Sequence, residues 1–475
     1  MTIDTHSAPT AEQLDAIRAI VGPKGIVEGD DATPFISERR NRWQGTTPLV
    51  VAPASPQEVS EIVKICAKHK IAITPQGGNT GLVGGQIPLG NEILLSLKRL
   101  RNIRAVEPLN NSMTLDAGLT LAEAQEIARE AGRFFPLSIG SEGTCQIGGV
   151  ISTNAGGVNV LRYGNMRDLV LGIEAVLPNG EIWNSLKRLR KNNTGYDLKQ
   201  LLIGGEGTLG IVTGAVLKLF PLPAQKVTIC AGLDNTDNVV KLLSLAQAAT
   251  GGNVSSFELM YRLCIDLTLK HIPNTRDPLN ARHPVYVLAE FTSSAPTDAG
   301  LRESVEALLA DALEKIIIRD ATIAENEAQA QNLWHIRHSV SEATSGEGLG
   351  ARHDVSVSTN DIPAFIEKAN AAVKKIVPTA RFVTFGHIGD GNIHYNILAE
   401  EGADKHALDD QRETIEQAVY DVIGDFDGSI SAEHGIGRHR RDDLAARKSP
   451  VEMEMMRAIK KALDPQGIMN PGKML

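Results

Sequence analysis

The chain has 475 residues, more than one hydrophobic core usually organises, so two or three domains are expected. A net charge of −9 without a basic run argues against nucleic acid as a partner, because phosphates select basic surfaces. The sequence has no stretch of about 18 consecutive apolar residues, so no helix across a membrane is expected.

The cysteines are too widely spaced for a disulfide framework or a thiolate zinc site. They are Cys66, Cys145, Cys230 and Cys264. This pattern fits a reducing compartment, and the cytoplasm is the predicted location. The start of the chain lacks a charged region followed by an apolar core, so it is not typical of a transit peptide.

The first elements alternate between helix and strand. Thr10 is a predicted cap for a helix over residues 11–21. After a short apolar strand, Ser55 and Glu58 predict the start of a second helix, because they combine an N-cap with an N3 glutamate. Another strand follows, which completes a β-α-β unit and leads into a glycine-rich loop.

Two glycine-rich loops occupy residues 75–85, PQGGNTGLVGG, and residues 136–164. Neither ends in the Gly-Lys-Ser/Thr of a P-loop or opens a helix as a dinucleotide fingerprint does. One such loop is weak evidence, but two in one domain could cradle a pyrophosphate through backbone N–H groups, without Lys or Arg. Between them Thr120 predicts a capped helix, and Asn179-Gly180 later predicts a hairpin turn.

The pattern changes from Val227 onward. A strand, helix and strand succession occurs twice, which predicts an antiparallel sheet with helices on one face. A helix over LWHIRHSVSEAT follows, and a last helix, PVEMEMMRAIKKALD, precedes the NPGKM tail.

Residues 386–396, GHIGDGNIHYN, predict a β-hairpin, because the flanking segments alternate in polarity around a turn rich in glycine. His387 and His394 then lie on facing strands, about 5 Å apart at Cβ, close enough to share one ion. Glu433, expected on a separate strand that ends in a glycine turn, could add a carboxylate. A single histidine is more often a surface or core residue, but three candidates flanked by glycines predict a catalytic divalent metal. Zinc is the leading candidate for the metal because of the ligand types, and manganese and iron are alternatives.

Together the motifs carry a family resemblance. PQGGNTGLVGG, the second glycine loop, GGEGTLGIVT and NPGKM resemble the FAD-binding domain of the vanillyl-alcohol oxidase superfamily. With GHIGDGNIHYN and SAEHGIG, the chain is similar to its branch of FAD-linked D-2-hydroxyacid dehydrogenases, which includes D-lactate and D-2-hydroxyglutarate dehydrogenases and the glycolate oxidase flavin subunit. The resemblance covers the chain from about residue 45 to the end.

The resemblance implies an α+β fold with a two-subdomain FAD-binding domain and an antiparallel-sheet, ferredoxin-like substrate (cap) domain. The expected boundaries are 1–223 for the FAD-binding domain, 224–440 for the substrate domain with the metal site, and 441–475 for a helix and tail that return to the FAD domain.

The resemblance also implies which residues hold FAD. They are Pro75, Gly77, Gly78, Asn79, Thr80, Gly81, Ser141, Thr144, Gly148, Gly149, Asn154, Gly156, Gly157, Gly210, Ile211 and Asn470. Some members of the family attach FAD covalently through a histidine at the position of Asn79. An amide cannot form that bond, so non-covalent FAD is expected.

Substrate contacts follow from the same resemblance. The family aligns Arg337, Ser341 and Arg352 with contacts to a substrate carboxylate, which suits the planar guanidinium group. Family members often have Thr and Lys in place of Ser341 and Arg352. Asn396, beside the hairpin, is a further candidate for holding the carboxylate.

The expected reaction is oxidation of a D-2-hydroxy acid to the 2-oxo acid, with hydride transfer to flavin N5. The metal would lower the pKa of the substrate hydroxyl, and His434 would take its proton as general base. Adjacent strand residues face opposite ways, so Glu433 and His434 can serve one site only if the backbone bends, which Gly435 permits. Two arginines favour D-2-hydroxyglutarate, with D-lactate as the alternative substrate.

Two other functions compete with this one. A flavin-free metallohydrolase could use the same His, His and Glu set, and the chain could be a non-catalytic flavoprotein subunit of a glycolate oxidase-like complex. The electron acceptor, whether electron-transfer flavoprotein, quinone or cytochrome, is left open. So is the oligomeric state, for which a homodimer is one candidate.

Overall fold

The computed structural model describes residues 6–38, 42–295 and 300–475. The first five residues, part of the segment considered as a transit peptide, lie outside the described residues. The chain divides into two compact units. Unit 1 comprises Met1–Gly156, Gly164–Leu222 and His434–Leu475, and unit 2 comprises Gly157–Tyr163 and Pro223–Glu433. The three-part domain division expected from the sequence stays a prediction.

The α-helices of the described residues are, in chain order, α1 (Ala11–Val21), α2 (Thr33–Ile36), α3 (Pro56–His69), α4 (Leu121–Glu130), α5 (Ile147–Ser152), α6 (Val160–Tyr163), α7 (Met166–Leu169), α8 (Lys199–Leu202), α9 (Thr236–Ala249), α10 (Arg262–His271), α11 (Leu301–Glu314), α12 (Glu327–Gly346), α13 (Ile362–Ile376), α14 (Arg412–Gly424), α15 (Arg441–Arg447) and α16 (Pro450–Leu463).

The strands are β1 (Ile26–Val27), β2 (Val50–Val51), β3 (Ile73–Gln76), β4 (Ile93–Ser96), β5 (Ile103–Glu107), β6 (Ser112–Asp116), β7 (Arg133–Phe134), β8 (Val170–Val176), β9 (Ile182–Ser185), β10 (Ile211–Lys218), β11 (Phe220–Pro221), β12 (Gln225–Leu233), β13 (Val254–Tyr261), β14 (Val285–Ser293), β15 (Asp320–Ile323), β16 (Ala351–Ser356), β17 (Arg381–Gly386) and β18 (Asn392–Leu398).

Unit 1 contains two main sheets, as the two-subdomain expectation requires. One has the order β1-β2-β4-β3, with β4 parallel to both β2 and β3, and the other is antiparallel with the order β5-β6-β10-β8-β9. Helices α1 and α3 cover the first sheet and share its core with Ile468 and Met469 from the end of the chain. The tail therefore belongs to the core of unit 1.

Unit 2 is built on a seven-stranded antiparallel sheet with the order β15-β12-β14-β13-β17-β18-β16. Helices α9, α11, α13 and α14 bury their apolar sides on one face. Helices α10 and α12 pack on the other face, through residues such as Cys264 and Val340. The two helices of the predicted succession, α9 and α11, therefore share one face as expected. The other face is covered by α10 and α12, which also present apolar stripes that need burial.

Local sequence signals account for several boundaries. Thr10 and Thr120 form capping boxes at the starts of α1 and α4, and Ser55 caps α3, as predicted. The Asn179-Gly180 turn joins β8 and β9 as an antiparallel hairpin. The four cysteines are buried free thiols. Among the described residues, no helix is long and apolar enough to cross a bilayer.

Candidate active site

The two glycine-rich loops meet in unit 1 and line a cavity of about 590 Å³. A Cβ on Gly78 would lie 1.9 Å from the carbonyl oxygen of Thr144, so only glycine allows the loops to approach this closely. The lining residues are Pro34, Ser37, Glu38, Gly78, Asn79, Thr80, Gly140, Ser141, Gly143 and Thr144. Five of the residues predicted to hold FAD, Gly78, Asn79, Thr80, Ser141 and Thr144, are therefore together.

The polar groups of these loops fit a bound polar cofactor. Asn79 has a φ of 53° and donates from Nδ2 to the carbonyl oxygens of Pro34 and Ser37 at 2.7 and 2.9 Å. Its Oδ1 is buried and lacks a hydrogen-bond partner within the described chain, as does Oε1 of Gln146. Buried polar atoms normally have partners, so these acceptors indicate a missing donor such as a nucleotide hydroxyl or amine.

The two glycines of α5 differ in their surroundings: Gly148 is packed against other residues, and Gly149 faces open space. A Cβ on Gly148 would lie 2.9 Å from Cβ of Ala117, so this residue packs against its neighbours. A Cβ on Gly149 would meet no atom within 4 Å, which leaves its backbone open to a ligand. Gly77 is close by, since its own added Cβ would lie 3.6 Å from Cα of Gly149.

Other predicted FAD residues hold the loops together. Asn154 accepts a hydrogen bond from the backbone N–H of Arg167 at 2.9 Å. Asn470, 2% exposed, donates to the carbonyl oxygens of Gly85 and Glu206 at 3.0 and 2.9 Å, and its Oδ1 is a further buried acceptor without a partner among the described residues. The tail is thus tied to the first glycine loop and to Glu206.

The remaining predicted FAD residues are dispersed. Pro75 is on β3, Gly81 lies within the first loop, Gly156 ends the first segment of unit 1, and Gly210 precedes Ile211 at the start of β10. Gly157 is in unit 2, where its backbone N–H donates to the carboxylate of Glu433.

The predicted hairpin of unit 2 is present. Strands β17 and β18 are antiparallel, with Phe385 opposite His394, and a turn over residues 387–391 joins them. The expectation that both histidines lie on strands is wrong for His387, because β17 ends at Gly386 and His387 begins the turn. A Cβ on Gly386, whose φ is 150°, would lie 2.6 Å from the carbonyl oxygen of Asn392, so glycine is required for this closure. The rings of His387 and His394 consequently lie 5.5 Å apart between centroids.

His387, His394 and Glu433 come together as the sequence suggests. Each offers one ligand atom, and the three atoms lie within 4.8 Å of one another. Nε2 of His387 is 3.8 Å from Oε1 of Glu433. Two imidazoles and one carboxylate at this spacing match a divalent metal site, which needs about 2.0–2.2 Å from each ligand to the ion.

Glu433 does not lie on a strand, so that expectation is wrong. The segment is irregular from residue 431 to residue 437, and its backbone bonds to Asp354 of β16 without forming a strand ladder. The Ala432 N–H donates to the Asp354 carbonyl at 3.1 Å, and the Glu433 N–H donates to its Oδ2 at 2.9 Å. Strand alternation therefore does not govern Glu433 and His434.

His434 directly follows Glu433 and is the first residue of the last segment of unit 1. It is half-buried. The next residue, Gly435, has a φ of 81°, and a Cβ there would lie 2.7 Å from Oε1 of Glu206. Oε1 and Oε2 of Glu206 accept the N–H groups of Ile436 and Gly437 at 2.8 and 2.7 Å, which anchors the loop after His434.

Two buried carboxylates contact the histidines. Oε1 of Glu258 on β13 is 2.7 Å from Nδ1 of His387, and its Oε2 accepts from Nε of Arg337 at 2.7 Å. Oδ1 of Asp354, on β16 opposite His394, is 3.6 Å from Nδ1 of that ring. Because Glu258 contacts Nδ1 of His387, Nε2 of this ring is the nitrogen that faces Glu433.

Burial and charge shift the acid–base groups strongly. Burial would lower the pKa of His387, but the charges of Glu258 and Glu433 raise it to about 9. Burial would raise the pKa of Glu258, but Arg337 and His387 hold it at about 2, so this carboxylate is ionised. Burial and repulsion by Asp354 and Asp390 raise the pKa of Glu433, and burial raises the pKa of Asp390 to about 6. The carboxylates outnumber nearby cations, as expected where a metal ion binds.

The predicted substrate residues are only partly together. Arg352 and Asn396 are opposite each other on β16 and β18, on the face that carries His394. Arg337 is 6% exposed, and Glu258 engages its Nε and one terminal nitrogen. Ser341, one turn further along α12, is exposed, and Arg352 donates to Ser345 at 2.9 Å.

Sequence reasoning missed Glu258, Asp354 and Glu206. Glu258 lies between the apolar residues Phe257 and Leu259 of β13, an unusual position for a charge that could have identified it. Asp354 lies in ARHDVS, whose mixed composition gives no such signal. Glu206 is the acidic residue within GGEGTLG and has a φ of 49°, which only the structure reveals.

The glycine-rich cradle lies in a chain that matches the models of FAD-binding and FAD-linked oxidase domains. The FAD binding domain matches residues 47–185, and the C-terminal domain of FAD linked oxidases matches residues 222–474. Solved structures of similar fold include p-cresol methylhydroxylase with substrate bound, with a TM-score of 0.77, 16% identity and coverage of 98% of this chain and 96% of that chain. Another is 4-ethylphenol oxidase from Gulosibacter chungangensis, with a TM-score of 0.75, 17% identity and 98% coverage of both chains.

Curated relatives are more similar in sequence. The D-2-hydroxyglutarate–pyruvate transhydrogenase of Saccharomyces cerevisiae is 37% identical over 473 residues, which covers 98% of this chain and 94% of that protein. The mitochondrial D-2-hydroxyglutarate dehydrogenase of Arabidopsis thaliana is 36% identical, with coverage of 99% and 82%. The D-2-hydroxyglutarate dehydrogenase of Stutzerimonas stutzeri is 34% identical, with coverage of 97% and 98%. The chain therefore belongs to the FAD-linked oxidase family, in its branch of D-2-hydroxyacid dehydrogenases, and is an FAD-dependent oxidoreductase.

Proposed function

We propose that this protein oxidises D-2-hydroxyglutarate to the 2-oxo acid with FAD and a divalent metal. The observation that carries the proposal is the convergence of His387, His394 and Glu433 within 4.8 Å, in a chain whose relatives are named for this substrate. Flavin N5 supplies the hydride acceptor when FAD is bound.

The metal would be held by His387, His394 and Glu433. Zinc is the leading candidate because it favours imidazole and carboxylate ligands, with manganese or iron as alternatives. A bound cation lowers the pKa of a coordinated hydroxyl and offsets the buried negative charge around Glu433.

Arg337, Arg352 and Asn396 would bind the substrate carboxylates. Arg337 keeps one terminal nitrogen outside its pair with Glu258, and Asn396 is opposite Arg352. Two guanidinium groups suit a dicarboxylate better than a monocarboxylate. Ser341 would contribute at the edge of the site, where it is exposed.

His434 would remove the hydroxyl proton. Glu206 anchors the loop that follows His434, so the backbone that carries the imidazole ring is held in place. A positioned general base of this kind contributes typically about 10²–10⁴-fold to rate.

FAD would be bound without a covalent link, because Asn79 replaces the histidine that some relatives use. The remaining FAD residues predicted from the sequence keep their proposed roles. Reoxidation requires an acceptor, with electron-transfer flavoprotein, quinone and cytochrome as candidates, and a homodimer is one candidate assembly. The cytoplasm stays the predicted location, although the Arabidopsis relative is named as mitochondrial.

A flavin reduction assay tests the proposal. Purified protein carrying FAD is mixed without oxygen with D- and L-forms of 2-hydroxyglutarate and lactate, before and after removal of metal by a chelator. We expect D-2-hydroxyglutarate alone to bleach the flavin rapidly, and the chelator to abolish bleaching until zinc is restored. If metal-free protein is bleached as fast as metal-loaded protein, the metal has no role in the reaction. If D-lactate alone bleaches the flavin, the substrate is D-lactate and not D-2-hydroxyglutarate. No bleaching by any of these acids would overturn the proposed function.

A further inference from the structure

Glu258 places a full negative charge in the interior of unit 2. Its side chain is completely buried on β13. Taking a carboxylate out of water is energetically costly, so its partners must compensate for the lost hydration. Both of its partners belong to the proposed site.

The two oxygens of Glu258 have separate partners. Oε2 accepts from Nε and a terminal nitrogen of Arg337, at 2.7 and 2.6 Å. Oε1 is 2.7 Å from Nδ1 of His387. Arg337 is itself held by packing, since its guanidinium lies 4.8 Å from the ring centroid of Phe385. The carboxylate therefore has little freedom to rotate, and its Oε1 has a fixed direction.

The position of Oε1 of Glu258 determines the tautomer and the orientation of the His387 ring. Glu258 accepts from the guanidinium of Arg337 at Oε2 and lies 2.7 Å from Nδ1 of His387 at Oε1, an arrangement that favours the tautomer with the proton on Nδ1. In the neutral ring, Nε2 then keeps its lone pair, on the side that faces Glu433 at 3.8 Å. This is the tautomer that a metal ligand needs, and carboxylates bonded to ligating histidines typically contribute about 10–100-fold in metal affinity.

We infer that Glu258 is a positioning residue that sets the tautomer and orientation of His387 for a divalent cation, and that it does so from an anchor on Arg337. The inference rests on the proposed function, because it takes His387 as a metal ligand. It goes further by assigning a role to a residue outside the ligand and substrate sets.

Removing the charge of Glu258 without changing its size tests the inference. Glu258→Gln offers one oxygen and one NH₂ group, so it cannot accept from both Arg337 and His387. Zinc affinity is measured on metal-free protein, without substrate, by competition with a chromophoric chelator. We expect the Kd for zinc to rise about 10–100-fold. The cobalt-substituted variant should also show a changed visible absorption, which a purely structural role would leave as in the wild type.

Glu174→Gln is the matched control. Glu174 in unit 1 is also a buried carboxylate, 5% exposed, and binds Arg104 at 2.7 Å. Its loss should cost stability in the same way but leave the Kd for zinc unchanged. Equal weakening in both variants would mean that zinc affinity follows stability alone, and the inference would be overturned.

A second variant covers the case in which Glu258→Gln does not fold. Replacing both members of a buried ion pair is far less costly than replacing one, so Glu258→Gln combined with Arg337→Met should fold. We expect the same loss of zinc affinity in this double variant. Wild-type affinity there would overturn the inference.

His387→Ala and Glu433→Gln separate this inference from the proposed function. Both should lose zinc binding. If they do and the Glu258 variants do not, only the positioning role fails. If both bind zinc as tightly as the wild type does, the metal centre itself is refuted.

Discussion

Individual side chains of unit 2 concentrate negative charge around His387 and His394. The carboxylates of Glu258 and Asp354 contact His387 and His394, and Glu433 lies beside His387. Arg337 is paired with Glu258. The elevated pKa of Glu433 expresses the cost of ionising it there. A divalent ion would lower that cost.

Zinc should therefore stabilise the folded protein. At a free concentration of 100 times its Kd, a ligand that binds only the native state adds about 2.7 kcal/mol to the free energy of unfolding. We expect a gain of this size in urea unfolding of the metal-free wild type. His387→Ala should show no gain. His406→Ala, in an exposed histidine paired with Asp409, should respond as the wild type does, and a zinc response that persists in His387→Ala would contradict the site.

His434 can be tested by itself. Its replacement by alanine removes the proposed base but no predicted FAD contact, so the protein should stay yellow. We expect flavin reduction by substrate to slow by about 10²–10⁴-fold in stopped-flow measurements. The His406→Ala variant again serves as control. Undiminished flavin reduction would exclude His434 as the base.

At the scale of elements, the loop after His434 depends on Glu206. Its two oxygens accept adjacent N–H groups from Ile436 and Gly437. Glu206→Gln turns one acceptor into a donor facing an N–H group. We expect a loss of about 1–3 kcal/mol in the free energy of unfolding and faster hydrogen exchange at residues 436 and 437. Unchanged exchange would show that other contacts hold this loop.

Glu92→Gln is the control for that prediction. Glu92 is 3% exposed and accepts the N–H groups of Leu89 and Gly90 in unit 1. Its loss should destabilise the protein comparably and leave exchange at residues 436 and 437 as in the wild type.

The C-terminal end of α12 is held by a charge network that depends on pH. Hydrogen bonds from Lys270 hold the pKa of Glu347 well below its ordinary value of 4.5, at about 2, with His271 and Arg381 acting in the same direction. Because the folded pKa is depressed, this stabilisation is complete above pH about 4.5 and is lost as pH falls towards 2.

Glu347→Gln should therefore cost about 1 kcal/mol near pH 7, a typical value for a partly exposed network. The difference from the wild type should shrink as the pH falls below 4 and vanish near pH 2. Urea unfolding across this range measures it. A difference independent of pH would mean that Glu347 acts through packing and not through its charge.

The features of helices and strands that could be predicted from the sequence are those set by residues close together in the chain. Caps at Thr10, Ser55 and Thr120 and the hairpin around the proposed metal residues follow from local spacing and were found in the structure. Glu258 was missed because its partner His387 is 129 residues away. Glu433 was misplaced on a strand because its backbone bonds to a side chain, that of Asp354, which no periodicity reveals.

At the scale of the whole molecule, unit 1 is assembled from distant parts of the chain. The N–H of Asn470 donates to the carbonyl of Ile73 at 2.8 Å, and the ammonium group of Lys473 is 3.3 Å from the carboxylate of Glu92. Met469 is completely buried in the same core. Residues 1–222 therefore lack part of their own core.

A fragment of residues 1–222 should not fold by itself. The same fragment joined through a short flexible linker to residues 434–475 should recover a cooperative thermal transition and bind FAD, because the linker restores the missing strand contact and core residues. Calorimetry and flavin absorbance measure both properties. Cooperative melting of residues 1–222 alone would contradict the role given to the tail.

The interruption of unit 1 also fixes an order of events during biosynthesis. The ribosome translates all of residues 223–433 before it reaches the last segment of unit 1. Cofactor capture in the cradle therefore has to wait until all of residues 223–433 have been translated. Nascent protein arrested before residue 434 would expose an unfinished hydrophobic interior, and it is at this stage that chaperones would have most to protect.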